Sequence, residues 1–365
     1  MLIILCLIIF VLCGINKGIL APDKFLNWLQ GTNSSATEAT GFPIKFDDKK
    51  VAAGNFLIMN ENLVTVSNTS LMIFSGAAKK LNEIQHSFSN PMLKLGEKNI
   101  LFYDLRGKNF QIVKNLNDVS TGNLEENIIT AAISSNGIYG FITETNGYFS
   151  KMSIFSKNKE QIYKYYFSND FINGLALNKD GDLAAVVGIS AENGRMKSTL
   201  YVFDYHSSTP KLKYEFPDTI FEAIEFLSNG NVVAVGNKLT TVVDVFAATR
   251  YDHSYKDMPL TSFEIYKDHG AVLSLATNYN KGNCKLEVLG LDGHPNQEIF
   301  TNLNIKSVSC NGSHVAALSE KQVTIFNIRG EKLNTWNTIC HTQQLRLCSG
   351  NCYLLGESEI CKLNF

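Results

Sequence analysis

The sequence predicts an all-β fold, an eight-bladed β-propeller, and three observations carry that prediction. A short polar turn recurs at Asn60–Asn62, Gly96–Lys98, Ser135–Gly137, Asp180–Gly181, Asn229–Gly230, Asp268–Gly270, Asn311–Gly312 and Ser349–Asn351, with a period of 36 to 49 residues. Such a period is the length of one propeller blade. A run of β-branched and aromatic residues marks a third strand in each unit, near Ile73, Phe102, Ile154, Val202, Val245, Val288 and Ile325, and the eighth such run, EICKLNF, ends the chain. The last unit therefore lacks an outermost strand, while Gly41–Phe46 (GFPIKF) is a spare strand ahead of the first unit. Lending that strand to the eighth blade closes the ring and removes the free edges of an open sheet. Seven blades is the alternative, if the weak second unit is not a blade.

The clearest copy of the unit is Phe171–Phe216. Two apolar runs flank Lys179, Asp180, Gly181 and Asp182, residues that tolerate the positive φ of a tight hairpin. A polar loop over Ser190–Lys197 leads to a third strand, Ser198–Tyr205, and a fourth follows at Leu212–Phe216. Four short strands in one repeat are the content of a blade.

Ahead of the propeller, taken as 41–365, residues 1–21 read as a membrane anchor and 22–40 as a juxtamembrane helix and linker. Met1–Ile15 carries no charge. Alone it is shorter than the ~20 apolar residues of a comfortable span, so a cleaved signal peptide competes; adding Ile19–Ala21 makes a transmembrane helix possible. Pro22–Gln30 has an early Pro, an acid in its first turn and an apolar cluster with Trp28, the pattern of a short helix. Gly31–Thr40 is small and polar, a linker. Lys17 and Lys24 follow the apolar run and no basic residue precedes it, which on charge alone favours a cytoplasmic propeller.

Charge is low and balanced, with 33 Lys and Arg against 34 Asp and Glu. Nucleic acid therefore has no electrostatic handle and is not expected as a partner. No G-x-S-x-G elbow, H-E-x-x-H pair, phosphate-cradling loop or dinucleotide fingerprint occurs. The seven histidines fall at unrelated places in their units, and only two Trp are present. No cofactor and no metal site are expected. Six of the eight cysteines follow residue 283. Cys348 and Cys352 flank a three-residue turn, so a disulfide across the hairpin, or metal binding with Cys340 and His341, stands beside the expectation of inert core thiols.

Several stretches, GFPIKF after a polar linker, HSFSNP at His86–Pro91, FYDLRGKNFQI at Phe102–Ile112, TETNGY at Thr143–Tyr148 and YKYYFSNDF at Tyr163–Phe171, are similar to an uncharacterised family of membrane-anchored propeller proteins. That family occurs in Gram-positive bacteria of the clostridial kind and is known only as a domain of unknown function. The resemblance implies a single-pass anchor in the cell membrane with the propeller outside. It implies no reaction.

Loops between second and third strands, and loops leading to the next unit, emerge on one end of a propeller and carry binding residues on a rigid scaffold. His86, Asn90, Glu144, Tyr148, Asp170, Glu192 and Arg195 occupy such loops and are the candidate binding residues. The leading expectation is a non-enzymatic scaffold or sensor that binds a protein or cell-envelope ligand. A cell-envelope hydrolase or lyase using acids such as Glu144 and Asp170 is the alternative, and a cytoplasm-facing interaction platform is another.

Overall fold

The computed structural model describes residues 41–46, 49–278, 283–338 and 341–365. The expected anchor, juxtamembrane helix and linker lie outside the described residues, as does Cys340. Among the described residues the chain forms eight four-stranded antiparallel sheets, an eight-bladed β-propeller. Sheets one to seven span 51–85, 91–123, 128–167, 171–217, 221–254, 260–301 and 305–337; sheet eight spans 344–364 and is completed by Ile44–Lys45. The second unit is a full blade, which removes the seven-bladed alternative.

Apart from Ile44–Lys45, which pairs with the last strand of the chain, the strands of each sheet are adjacent in chain order and joined as hairpins. First strands of successive sheets pack beside one another from sheet one to five and from six to eight, and Val51–Met59 packs beside Gln344–Cys348 where the ring meets itself. Each hydrophobic core is shared by two successive sheets. Phe88, Val64 and Val113 lie between sheets one and two, and Val187, Val202, Phe226 and Ala234 between four and five. A strand with a neighbouring sheet on both faces buries every side chain, which is why Ser70–Phe74 and Val232–Gly236 read as unbroken apolar runs. Outer strands reach past the neighbours and alternate, as in Gln161–Phe167 and Thr249–Ser254.

Side chains on the first strands hold the centre together through the backbone of the next sheet. Ser262 accepts the N–H of Val308, Ser307 that of Leu345 and Ser309 that of Leu347, at 3.2, 3.3 and 2.9 Å. Asn55 donates to the Pro91 carbonyl at 2.7 Å, and Gln344 Oε1 accepts the Gly54 N–H at 3.0 Å across the closure. Inner strands of neighbouring sheets are too divergent to pair as a ladder, so polar side chains supply the partners that buried amides require.

The polar turns that set the repeat period lie between first and second strands of all eight sheets. Asn60 and Glu61 sit at φ +49° and +64°, the left-handed pair of a two-residue hairpin. Two readings of strands are corrected. Phe102 lies on the second strand of its sheet, Asn99–Asp104, because the tight turn before it leaves no room for another; its run is apolar because that strand too is buried on both faces. Ser190–Lys197 is not a loop: the ladder continues through Ser190↔Lys197, Ala191↔Met196 and Glu192↔Arg195 to a turn at Asn193 and Gly194. An Asn-Gly pair at φ +52° and +77° closes a hairpin without breaking its strands.

Cys348 and Cys352 do not face one another. Cys348 pairs with Asn351 and Cys352 with Leu347, so alternation sends the two thiols to opposite faces of the sheet. Cys284, Cys310, Cys348, Cys352 and Cys361 are not in disulfides. Cys352 is fully enclosed and burial pushes its thiol far above the ordinary range. Among the described residues no group of three or more His, Cys, Asp or Glu is arranged to hold a metal ion.

Candidate protein interface

One end of sheets three and four presents an unusual set of side chains. In sheet three the turn after Tyr139–Thr143 holds Gly147 at φ +82°, and the residues that follow it are Tyr148 and Phe149. Phe149 donates its N–H to the Phe167 carbonyl at 2.8 Å, which ties the turn to the outer strand. The Tyr148 ring then packs on Tyr166 at 4.8 Å between centroids. In sheet four Phe171 opens the first strand opposite Ile189, and Met196 sits on the extended hairpin opposite Ala191. Tyr148, Phe149, Phe171 and Met196 are 48, 58, 45 and 45% exposed. Large apolar groups gathered at one end of a soluble scaffold mark an interaction surface.

The rim of this end is charged. Lys197 bridges Glu192 at 2.8 Å and Glu215 at 3.1 Å, and hydrogen bonds from Lys213 and then Lys197 hold the Glu215 carboxyl below its ordinary range. Arg195, far out on the hairpin tip, lies 3.9 Å from Asp218. Glu144 accepts a hydrogen bond from Asn127 at 2.8 Å. An apolar centre of aromatic residues and Met with Arg at its edge is the composition of protein-binding surfaces.

The sequence-selected residues divide into two groups. Glu144, Tyr148, Glu192 and Arg195 are exposed at this end. Asp170 is buried: its carboxylate accepts hydrogen bonds from Thr199 at 3.1 Å and Tyr201 at 2.5 Å. It fixes the entry into sheet four and does not reach a ligand. His86 lies apart, between sheets one and two, with both ring nitrogens engaged: Nδ1 accepts the Phe88 N–H and Nε2 donates to the Ser67 carbonyl, each at 3.1 Å. Asn90 is exposed on the same loop, its N–H bound by Asp104 at 2.8 Å. Phe149, Tyr166, Phe171 and Met196 escaped the sequence reading because an aromatic or Met at a strand end has the same letter pattern as a core residue. The usable signal was Phe149 beside Tyr148 after an Asn-Gly turn.

The fold is that of an eight-bladed β-propeller, one end of which carries an apolar surface with a charged rim. The chain belongs to the family of unknown function DUF5711, which it matches over residues 40–338. Among solved structures it is similar to BamB from Moraxella catarrhalis, with 11% identity and a TM-score of 0.56 over 88% of this chain and all of that one. It is also similar to the C-terminal WD40 domain of Sif2, with 10% identity and a TM-score of 0.59 over 90% of this chain and 98% of that one. Both likenesses are of fold. No curated protein matches the chain.

Proposed function

We propose that the protein is a membrane-anchored scaffold or sensor, its propeller outside the cell membrane, that binds a protein partner through the aromatic end of sheets three and four. The observation that carries this reading is the gathering of Tyr148, Phe149, Phe171 and Met196, all about half exposed, at one end of two adjacent sheets. The likeness to BamB and to WD40 propellers supports a protein-binding scaffold. The apolar run Met1–Ile15 and the family resemblance support the anchor and its orientation. A hydrolase or lyase built on Glu144 and Asp170 loses its second acid, since Asp170 is enclosed by Thr199 and Tyr201.

A photo-crosslinking amino acid placed at Phe149 or Phe171 in living cells tests the surface. Phe246, 78% exposed on a turn between a third and an outer strand and so at the opposite end, is the control position. Protein adducts at 149 and 171 and none at 246 are expected; equal labelling at all three sites removes the assignment. Protease added to intact cells tests the orientation. Digestion before lysis places the propeller outside, and protection until lysis turns the proposal towards cytoplasmic partners, as the Lys17 and Lys24 count would have it.

A further inference from the structure

Successive sheets meet at the centre of the ring through their first strands everywhere except between sheets five and six, where Phe221–Phe226 and Leu260–Tyr266 do not pack beside one another. Elsewhere first-strand amides are also bolted to the preceding sheet. Ser150 accepts the N–H of Ile172 and Ser198 that of Phe221, at 3.0 and 3.2 Å, as Ser262, Ser307 and Ser309 do for the later sheets. Between sheets five and six the polar contacts lie away from the centre. At the end that holds the turns between first and second strands, Ser228 donates its N–H to the Lys267 carbonyl at 2.8 Å and Lys267 pairs with Glu225 at 3.1 Å. On the outer flank His253, from the outer strand of sheet five, meets Glu287 on the third strand of sheet six at 2.6 Å, and Lys285 takes the other oxygen of Glu287.

The apolar core of this seam is not sealed either. Val235, Tyr255 and Leu273 are buried, but Leu260, Phe263 and Ile265 of the first strand of sheet six pack against them only partly buried. No residue of Leu260–Tyr266 is fully buried, whereas the next first strand, Ile305–Cys310, buries five of its six. Apolar burial is what holds packed sheets together, so a seam short of it at the centre is the joint of lowest local stability. His253, Lys285 and Glu287, all mostly withdrawn from water, stand on its flank instead. A buried ion pair adds little net stability while intact and costs much when one partner is lost.

We propose that the ring opens at the seam between sheets five and six, hinged on the contacts of Ser228 and Lys267, with the His253–Glu287 pair as its latch. Opening exposes Leu260, Phe263 and Ile265 while the other seams stay shut. The device lies apart from the aromatic end of sheets three and four and does not depend on the function proposed for that end.

Thiol labelling tests it. Val187 and Val235 occupy the same place in successive sheets: each is on a second strand, wholly buried, and paired with the residue that follows a bulge in the first strand, Gly174 and Ala223. Val187 faces the seam between sheets four and five, and Val235 the seam between five and six. Val187→Cys and Val235→Cys, made separately in the full chain, are reacted with N-ethylmaleimide under native conditions, and labelling is read on the peptide that carries the new thiol. Val235→Cys is expected to react about tenfold faster, the effect of ~1.4 kcal/mol on an opening equilibrium. Glu287→Gln should raise that rate further and leave Val187→Cys unchanged. Global unfolding exposes both thiols alike, so Val187→Cys measures it. Equal labelling at the two sites, or a Glu287→Gln effect that is absent at position 235 or equal at both, overturns the proposal.

Discussion

Glu264 and Arg346, 82 residues apart, form an ion pair at 2.6 Å that joins the first strands of sheets six and eight. The second oxygen of Glu264 accepts the N–H of Cys310 on the first strand of sheet seven, at 2.9 Å, so one carboxylate ties three sheets. Both partners are mostly withdrawn from water. Removing one leaves an uncompensated charge, which costs ~3 to 5 kcal/mol at fully buried sites and less here. Arg346→Met is therefore expected to lower stability more than the double variant Arg346→Met, Glu264→Gln. Urea denaturation of both checks the order.

Asp170 is a structural carboxylate. Asp170→Ala strands the Thr199 and Tyr201 hydroxyls in a buried position. Hydrogen bonds to a charged group are worth ~1.5 to 3 kcal/mol each, and two are lost. Asp170→Ala should lower the unfolding free energy by about 3 to 6 kcal/mol. Tyr201→Phe, which removes one donor, should cost less. A double-mutant cycle by chemical denaturation reads the coupling.

Acid should weaken the fold in two windows. Hydrogen bonds from Lys49 and from Lys80, the latter at 2.6 Å, hold the Glu83 carboxyl down to about 2 from the ordinary 4.5. A depressed carboxylate stabilises fully above its unfolded value and loses that contribution as pH falls from about 4.5 towards 2. His86 also has a lowered pKa, chiefly from burial. The unfolded chain then takes up the proton first, so its contribution is full above 6.5 and fades as pH falls below it. Melting curves of wild type, Glu83→Gln and His86→Gln from pH 8 to 3 should separate the two. The Glu83→Gln difference should shrink only below pH 4.5, and the His86→Gln difference should begin shrinking near 6.5.

The aromatic end should be removable without harm to the fold. Phe149→Ser and Phe171→Ser replace exposed rings, and surface changes of this kind stay within about ±0.5 kcal/mol. Crosslinking from a probe at Met196 should nevertheless fall sharply in the double variant, because buried aromatic anchors carry most of an interface's energy. A large loss of stability would show instead that the rings serve the fold.

The sequence by itself determined the ring. A hairpin turn needs residues that accept positive φ, as Asn60, Gly181 and Gly230 do, and a strand covered on both faces needs an unbroken apolar run; both requirements are local and leave their mark in the letters. Eight turns could be counted for that reason. Tertiary structure alone decided which polar and aromatic residues face outwards. Asp170 and Glu144 are acids in loops at the same end of the propeller, yet one is enclosed by Thr199 and Tyr201 from a strand 29 and 31 residues away while the other meets water. Phe149 and Phe167, joined through their backbones, end with one ring exposed and the other in the core between sheets three and four. Burial is set by what other strands, of the same sheet or of its neighbour in the ring, bring up against a side chain, and those contacts exist only once the strands have paired and the sheets have packed.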